Sequence, residues 1–184
     1  AASHGIVFRL NSAPEAVLGT EGYRLEASGD RVVITANHPA GLFYGLQTLR
    51  QLLPASGRGA RVAHWSVPGV SVTDYPRFGW RGLMLDVSRH FFSKEFVEEY
   101  IDEMAKYKYN VFHWYLTDDN GWRIQIDGLP KLTEVGAWRV PRTGRWGSFT
   151  YAAPGEKASS GGFYTTQDIR DIVAYAQETF VTIV

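Results

Sequence analysis

The stretch VFHWYLTDDNGWR, residues 111–123, decides the fold, and its upstream companion is RGLMLDVSRHFF, residues 81–92. Each begins as a short apolar run and ends abruptly in charge, which is typical of a buried parallel strand whose C-terminal end opens onto a functional surface. We therefore predict strands over residues 82–87 and 111–116. Between them, spacings of one, three and four predict a helix over residues 94–108. Its apolar stripe is Phe96, Val97, Tyr100, Ile101, Met104 and Ala105.

A second strand and helix pair follows this βαβ unit. Thr165 and Asp168 have the spacing of a capping box, which predicts a helix over residues 166–178, and the apolar run 180–184 predicts a third strand. The helix stripe is Ile169, Ile172, Val173, Ala176 and Phe180. Repeated βα units indicate a parallel sheet. A complete (β/α)8 barrel needs about 250 residues, so a barrel would be truncated in this chain, with an open strand edge at residues 180–184 that favours self-association.

Residues 1–76 carry a different pattern. Strands are predicted over residues 7–10, 23–27 and 31–35, and a tight turn at residues 28–30 joins the last two as a hairpin in a small antiparallel sheet. A helix is predicted from residue 37 or 39 to residue 53, since Pro54 cannot continue it. Its predicted buried stripe is Leu42, Leu46, Leu49, Leu52 and Leu53.

The domain boundary is placed by a change in composition. A loop rich in glycine, serine and arginine is predicted at residues 55–61, followed by one or two strands within residues 62–73. The pattern changes at residues 74–76, so we predict one domain over residues 1–76 and another over 77–184.

The linked motifs of the chain resemble glycoside hydrolase family 20, the β-N-acetylhexosaminidases. The motifs are RGLMLDVSRHFF, KYNVFHWYLTDDNGWRIQI, LPKLTEVGAWR and GGFYTTQDIRDIVAYA, while HPAGLFYGLQTLRQLLP resembles the family's small non-catalytic α/β domain. The resemblance implies an α/β fold, with an α+β accessory domain before the first part of a (β/α)8 barrel. It also implies retaining hydrolysis, by substrate assistance, of terminal β-linked N-acetylglucosamine or N-acetylgalactosamine in glycans or chitooligosaccharides.

Arg89 is the candidate substrate-binding residue. It follows the first barrel strand, and its planar fork of donors can span two neighbouring hydroxyl groups of a sugar as well as a carboxylate. The residues alone favour a structural ion pair with Asp86 or Asp118. The resemblance of the SRHFF motif implies instead that Arg89 holds hydroxyl groups of the terminal sugar.

Asp118 and Asp119 follow the second barrel strand. Adjacent strand residues point in opposite directions, so both carboxylates cannot face the substrate equally. The resemblance implies that Asp118 is a supporting carboxylate that orients a histidine further along the chain, while Asp119 either shares this role or is a turn residue. The resemblance assigns no catalytic residue to this chain, because the assisting Asp and the acid Glu are expected beyond Val184.

The connection over residues 120–164 is much longer than the usual βα loop. It lies at the strand ends where barrel enzymes build their sites, and we interpret it as a functional loop. The alternative is a loop that only braces the barrel rim with stacked arginine and tryptophan side chains. Its candidate residues are Trp122, Arg123, Trp138, Arg139, Arg142, Arg145 and Trp146.

Metal and acid/base candidates elsewhere are weak. The histidines show no HExxH or comparable spacing, so we expect neither a metal nor a cofactor. They are His4, His38, His64, His90 and His113. The adjacent pair Asp102 and Glu103 falls off the apolar stripe of its helix, which predicts solvated charges rather than a catalytic pair.

Composition excludes several classes of function. The 19 Lys plus Arg residues balance 19 Asp plus Glu, and basic clusters are missing, so nucleic acid is not an expected partner. No apolar stretch approaches the length of a membrane span. The chain has no cysteine, which leaves the compartment open; we expect a bacterial periplasmic or secreted protein from which any signal peptide was removed. The competing function is a non-catalytic carbohydrate-binding or scaffold protein of the same fold.

Overall fold

The computed structural model describes residues 5–54, 66–143 and 150–184. The chain divides into two compact units, Ala1–Arg81 with Lys106–Lys108, and Gly82–Ala105 with Tyr109–Val184. Several predictions lie outside the described residues: the loop at 55–61, the first part of the strand region at 62–73, His4, His64, Arg145 and Trp146.

The first unit contains a four-stranded sheet. Its elements are β1 (Gly5–Leu10), β2 (Tyr23–Ser28), β3 (Arg31–Ala36), α1 (Pro39–Leu52) and β4 (Val70–Asp74). The strand order is β1-β3-β2-β4, and β2 is antiparallel to both neighbours, whereas β1 is parallel to β3. The sheet is therefore mixed rather than antiparallel throughout. The hairpin turn at Gly29 (φ 56°) reverses the chain between β2 and β3. The strand that lies beside β1 is β3, and these two strands run parallel.

Helix α1 packs on this sheet through glycines. Its buried residues are Gly41, Tyr44, Gly45, Gln47 and Leu49. Leu49 is the fully buried member of the predicted leucine stripe, whereas Leu42, Leu46, Leu52 and Leu53 are only partly buried, so the prediction is confirmed only in part. A Cβ on Gly45 would lie 2.5 Å from Ile34 Cγ2, and one on Gly41 would lie 2.7 Å from Ala36 Cβ. The glycine face brings the helix closest to the sheet, and a pattern of hydrophobic residues does not reveal it.

The second unit is built on three parallel strands. Its elements are β5 (Gly82–Asp86), α2 (Lys94–Lys106), β6 (Val111–Tyr115), β7 (Thr117–Asp118), β8 (Gly121–Trp122), α3 (Lys131–Glu134), β9 (Trp138–Arg139), β10 (Ser160–Gly161), α4 (Thr166–Glu178) and β11 (Thr182–Ile183). Strand β6 lies between β5 and β11 and is parallel to both. The predicted βαβαβ order of an opening (β/α)8 barrel is confirmed.

The core of the second unit is formed by the two long helices and the strands. Fully buried members include Val97, Ile101 and Met104 of α2, and Ile172 and Ala176 of α4. Burying one of these Val, Ile or Met side chains stabilises the fold by about 1.5–3 kcal/mol. The outer residues of both predicted stripes, such as Phe96 and Val173, are exposed.

The helix ends follow from local signals. The predicted capping box of α4 is confirmed. The Thr165 side chain accepts a hydrogen bond from the backbone N–H of Asp168, and the Asp168 side chain accepts one from the backbone N–H of Thr165. Helix α2 ends at Lys106 rather than at residue 108, since Lys108 adopts a left-handed φ of 62°. Phe180 (φ 58°) separates α4 from β11 in the same way.

Candidate active site

The candidate site lies where β5 and β6 end at the same edge of the parallel sheet. The last pair in the register joins Asp86 to Tyr115. The segments that leave these two strands therefore start side by side. One carries Arg89 and the other carries Asp118 and Asp119, so the fold brings together the site residues that the sequence singled out.

Asp86 shapes the turn that carries Arg89. One carboxylate oxygen, Oδ1, accepts the backbone N–H groups of Ser88 and Arg89, each at 3.0 Å. The other, Oδ2, lies 3.3 Å from Arg89 Nη1. A carboxylate that accepts two successive backbone donors fixes the turn, and the ion pair then directs the Arg89 side chain back over it.

The guanidinium of Arg89 lies between carboxylates and an aromatic ring. Its Nη1 is 2.8 Å from Asp118 Oδ2, and its central carbon is 5.5 Å from the centroid of the Tyr115 ring. The Arg89 side chain remains 43% exposed. Both ion pairs use Nη1, whereas a guanidinium carries five N–H donors. The ion pairs therefore do not exhaust its capacity to bind a ligand.

Asp118 is held in its ionised form. Its Oδ2 accepts from the Tyr115 hydroxyl at 2.5 Å, and its Oδ1 accepts from the backbone N–H of Asp119 at 2.7 Å. These hydrogen bonds, the first being the larger effect, lower the pKa of Asp118 to about 2, and the positive charge of Arg89 adds to the shift. At neutral pH Asp118 is an acceptor and a counter-ion, not a proton donor.

Asp119 lies in a tight hairpin turn. Strands β7 and β8 pair through Thr117 with Trp122 and through Asp118 with Gly121, which leaves Asp119 and Asn120 at the tip. Both tip residues are exposed. The backbone N–H of Asp119 donates to the Asp118 carboxylate.

Arg123, at the end of this hairpin, is buried with 1% of its surface exposed. Its guanidinium donates to the carbonyl oxygens of Val87 at 2.9 Å, Ser88 at 2.7 Å and Gly162 at 3.2 Å, and also to that of Ala137. Burial lowers its pKa. Arg123 therefore braces the barrel rim, which is the alternative role that the sequence left open for the connection over residues 120–164.

The remaining arginine and tryptophan candidates have separate roles. Arg139 Nη2 donates to the backbone carbonyl of Arg89. Arg142 forms an ion pair with Glu156, with Nη2 at 2.6 Å from Oε2, and Trp122 Nε1 donates to a nearby backbone carbonyl at 2.7 Å. Trp138 is 39% exposed and lines an open groove with Glu134, Val135 and Lys157. Only Arg123 and Arg139 of this group bond to the turn that carries Arg89, within the part of the chain that the structure describes.

Other titratable candidates stay outside the site. His90 and His113 are exposed, as are Asp102 and Glu103, and Asp102 accepts from the Tyr175 hydroxyl at 2.7 Å. Among the described residues, no three His, Asp or Glu side chains gather as a metal site would require. Over the same ranges, no helix is long and apolar enough to cross a membrane.

Tyr115 is the site residue that sequence analysis missed. It combines a hydrogen bond to Asp118 with a ring beneath the Arg89 guanidinium. Its position as the last residue of β6, at the strand end where barrel sites form, is the signal that could have identified it.

Comparison with family models matches both parts of the chain. Residues 1–75 match the model described as glycosyl hydrolase family 20, domain 2, and residues 78–184 match glycosyl hydrolase family 20, catalytic domain. Among curated relatives, a β-hexosaminidase of Porphyromonas gingivalis is 44% identical over 91% of this chain, and one of Vibrio furnissii is 39% identical over 99%. The chain spans 20% and 28% of these two relatives.

Solved structures give the same picture. The family 20 β-N-acetylhexosaminidase of Streptomyces coelicolor A3(2) superposes with a TM-score of 0.82 at 43% identity, covering 98% of this chain and 33% of that one. The N-acetyl-β-hexosaminidase of Streptomyces plicatus, solved in complex with Thio-NAglucal, gives 0.81 at 42% identity, covering 100% and 34%. The similarity therefore extends over the whole chain but over only a third of either structure.

Proposed function

This chain belongs to glycoside hydrolase family 20, and from that membership we propose that it is part of a β-N-acetylhexosaminidase. The complete enzyme removes terminal, non-reducing, β-linked N-acetylglucosamine or N-acetylgalactosamine from glycans or chitooligosaccharides. Residues 1–76 form the accessory α/β domain, and residues 77–184 form the first part of the catalytic barrel. The expectation of a periplasmic or secreted protein stays a prediction.

The observation that carries this proposal is the partly exposed guanidinium of Arg89 at the barrel strand ends. Asp86 and Asp118 orient it through two ion pairs, and the ring of Tyr115 supports it. Neighbouring sugar hydroxyls can accept from two donors of one guanidinium, much as the two oxygens of a carboxylate do. We assign Arg89 to binding of the terminal sugar, and Asp118 to support of Arg89 and of a histidine further along the barrel.

Cleavage in this scheme uses a nucleophile that belongs to the substrate. The carbonyl oxygen of the 2-acetamido group forms a bond to the anomeric carbon while the bond to the leaving oxygen breaks, and a glutamic acid gives that oxygen its proton. Water then attacks the anomeric carbon from the face opposite the acetamido oxygen and gives a proton to the glutamate, while the bond to the acetamido oxygen breaks, so the configuration is retained. An aspartate positions the acetamido group. We place that aspartate and the glutamic acid beyond Val184, in the rest of the barrel.

The test compares two substrates that differ at one position. The full-length protein is assayed for release of p-nitrophenol from the β-N-acetylglucosaminide and from the β-glucoside, which has a hydroxyl in place of the acetamido group. We expect turnover of the first and almost none of the second, because the glucoside lacks the nucleophile. Equal turnover of both would exclude substrate assistance, and no turnover of either would favour the non-catalytic binding or scaffold protein.

A further inference from the structure

The turn that carries Arg89 is held from both sides of its backbone. On the donor side, Asp86 accepts the N–H groups of Ser88 and Arg89. On the acceptor side, the carbonyls of three successive residues each accept from a guanidinium. Arg123 donates to the carbonyls of Val87 and Ser88, and Arg139 donates to the carbonyl of Arg89. Every one of these three carbonyls thus has a charged donor from the long connection between β6 and α4.

We infer that Arg123 and Arg139 are positioning residues for Arg89, because they hold the turn from which its side chain extends. The inference rests on the proposed role of Arg89 in sugar binding. It assigns the long connection a specific task, which is to order the sugar-binding arginine before the substrate arrives. A binding group that is ordered in advance loses less entropy when the ligand binds.

The space for the buried guanidinium is made by two glycines. A Cβ on Gly121 would collide with the Arg123 guanidinium, and one on Gly161 would lie 3.1 Å from Arg123 Nη1. Gly161 also has φ 153° and lies so close to Ala137 that a side chain would strike its carbonyl oxygen. Gly121 of the DDNGWR motif and Gly161 of the GGFY motif therefore both leave room for the Arg123 guanidinium. Phe91 covers it, with the guanidinium carbon 5.9 Å from the ring centroid.

Burial of the charged Arg123 guanidinium costs free energy, and its hydrogen bonds hold two different parts of the chain. Two of them reach the turn at Val87 and Ser88, and two reach carbonyls within the connection itself. Replacing Arg123 would therefore disturb both parts and confuse positioning with folding. Arg139 is only partly buried, and its bond to the carbonyl of Arg89 is direct, which makes Arg139 the better residue to change.

The experiment is a double-mutant cycle in the full-length protein. Arg139→Met removes the donor but keeps the length of the side chain, and it is made both in the wild type and in an Arg89→Ala background. We expect kcat/KM for p-nitrophenyl β-N-acetylglucosaminide to fall about tenfold in the wild type, mainly through a higher KM, since a misplaced binding group loses affinity. In the Arg89→Ala background we expect less than a twofold change.

The control is Arg142→Met, in the same connection. Arg142 also bonds to backbone carbonyls, those of Thr150 and Tyr151, and to Glu156, but these bonds stay within the connection. We expect its kcat/KM to remain within twofold of wild type. Equal losses from Arg139→Met in both backgrounds, or no loss in either, would overturn the inference while leaving the proposed function intact.

A second readout does not depend on activity. Hydrogen exchange at the amides of Ser88 and Arg89 is measured by mass spectrometry in wild type, Arg139→Met and Arg142→Met. We expect exchange there to be several times faster in Arg139→Met alone, because the turn opens more often without the bond to its carbonyl. Unchanged exchange would overturn the inference. If instead Arg89→Ala leaves kcat/KM unchanged, the proposed role of Arg89 fails, and exchange still decides whether Arg139 holds the turn.

Discussion

Arg89 in the second unit and Lys108 in the first unit are both cations held by carboxylate and phenol groups, but they differ in what remains available. Lys108 Nζ donates to the Tyr23 hydroxyl at 2.8 Å, Thr48 Oγ1 at 2.7 Å and Asp74 Oδ2 at 2.9 Å. An ammonium group has three donors, so all are used. Arg89 is more exposed, 43% against 25%, and has donors to spare.

This difference separates a structural cation from a binding one. For Lys108, burial opposes the charge, but the hydrogen bonds from Lys108 to Asp74 and Tyr23 outweigh it and raise its pKa. Burial also opposes the charge of Asp74, but the hydrogen bonds that it accepts from Lys108 and from the Tyr23 hydroxyl outweigh burial and lower its pKa. We therefore expect changes at Lys108 to alter stability and changes at Arg89 to alter substrate binding.

The largest expected effect concerns catalysis by residues 1–184 alone. Asp118, beside Arg89, has a pKa of about 2, and Asp74, beside Lys108, is ion-paired, so neither of these two carboxylates supplies a carboxylic acid at neutral pH. Loss of general acid catalysis costs about 10²–10⁴ in rate. Purified residues 1–184 should release no p-nitrophenol from the β-N-acetylglucosaminide under conditions where the full-length protein does. Comparable turnover would place the acid within this part of the chain.

Arg89→Lys should reduce kcat/KM of the full-length enzyme by about 10- to 100-fold. The substitution keeps the charge but loses the fork, and a hydrogen bond to a charged donor is worth about 1.5–3 kcal/mol. The melting temperature should change little, because surface ion pairs contribute little to stability. A much lower melting temperature with normal activity per folded molecule would make Arg89 a structural residue like Lys108.

Lys108→Met should show the opposite pattern. It leaves Asp74, Tyr23 and Thr48 without their shared donor, and we expect a loss of about 1–2 kcal/mol in the free energy of unfolding, moderated because Asp74 is 46% exposed. Urea denaturation measures this loss, and kcat/KM per folded molecule should match wild type. Unchanged stability would show that the saturated ammonium is not structural.

The smallest effect concerns pH. The pKa of Asp118 lies at about 2 in the folded protein, below its unfolded value of about 3.9. Its contribution to stability is therefore complete above about pH 4 and is lost as the pH falls toward 2. The stability difference between wild type and Asp118→Asn should be constant from pH 8 to 5 and shrink below pH 4. A difference that declined already between pH 7 and 5 would contradict the low pKa.

Sequence patterns predicted those elements whose signals are local. The capping box at Thr165 and Asp168 placed the start of α4, because both partners lie within one helical turn. The charged ends of β5 and β6 placed Arg89 and Asp118 near each other, because neighbouring parallel strands end at the same edge of the sheet. Signals of this kind need no knowledge of distant residues.

Elements that depend on contacts between distant parts of the chain were not predictable in the same way. The leucine stripe of α1 is only partly buried, and the sequence pattern did not reveal that Gly41 and Gly45 approach the sheet closely. Arg123 looked equally suited to binding a ligand and to bracing the barrel rim. Its partner Val87 is 36 residues away in sequence, and only the folded chain shows that the guanidinium is buried.

The sequence by itself determined the order of strands and helices, the helix caps and the residue types at the strand ends, because hydrophobic periodicity and side-chain chemistry act over a few residues. Tertiary structure decided which of two similar arginines is free to meet a ligand. Arg89 and Arg123 both follow barrel strands, yet burial and four carbonyl acceptors commit Arg123 to the backbone. Arg89 remains 43% exposed at the edge where β5 and β6 end, and both of its ion pairs use Nη1.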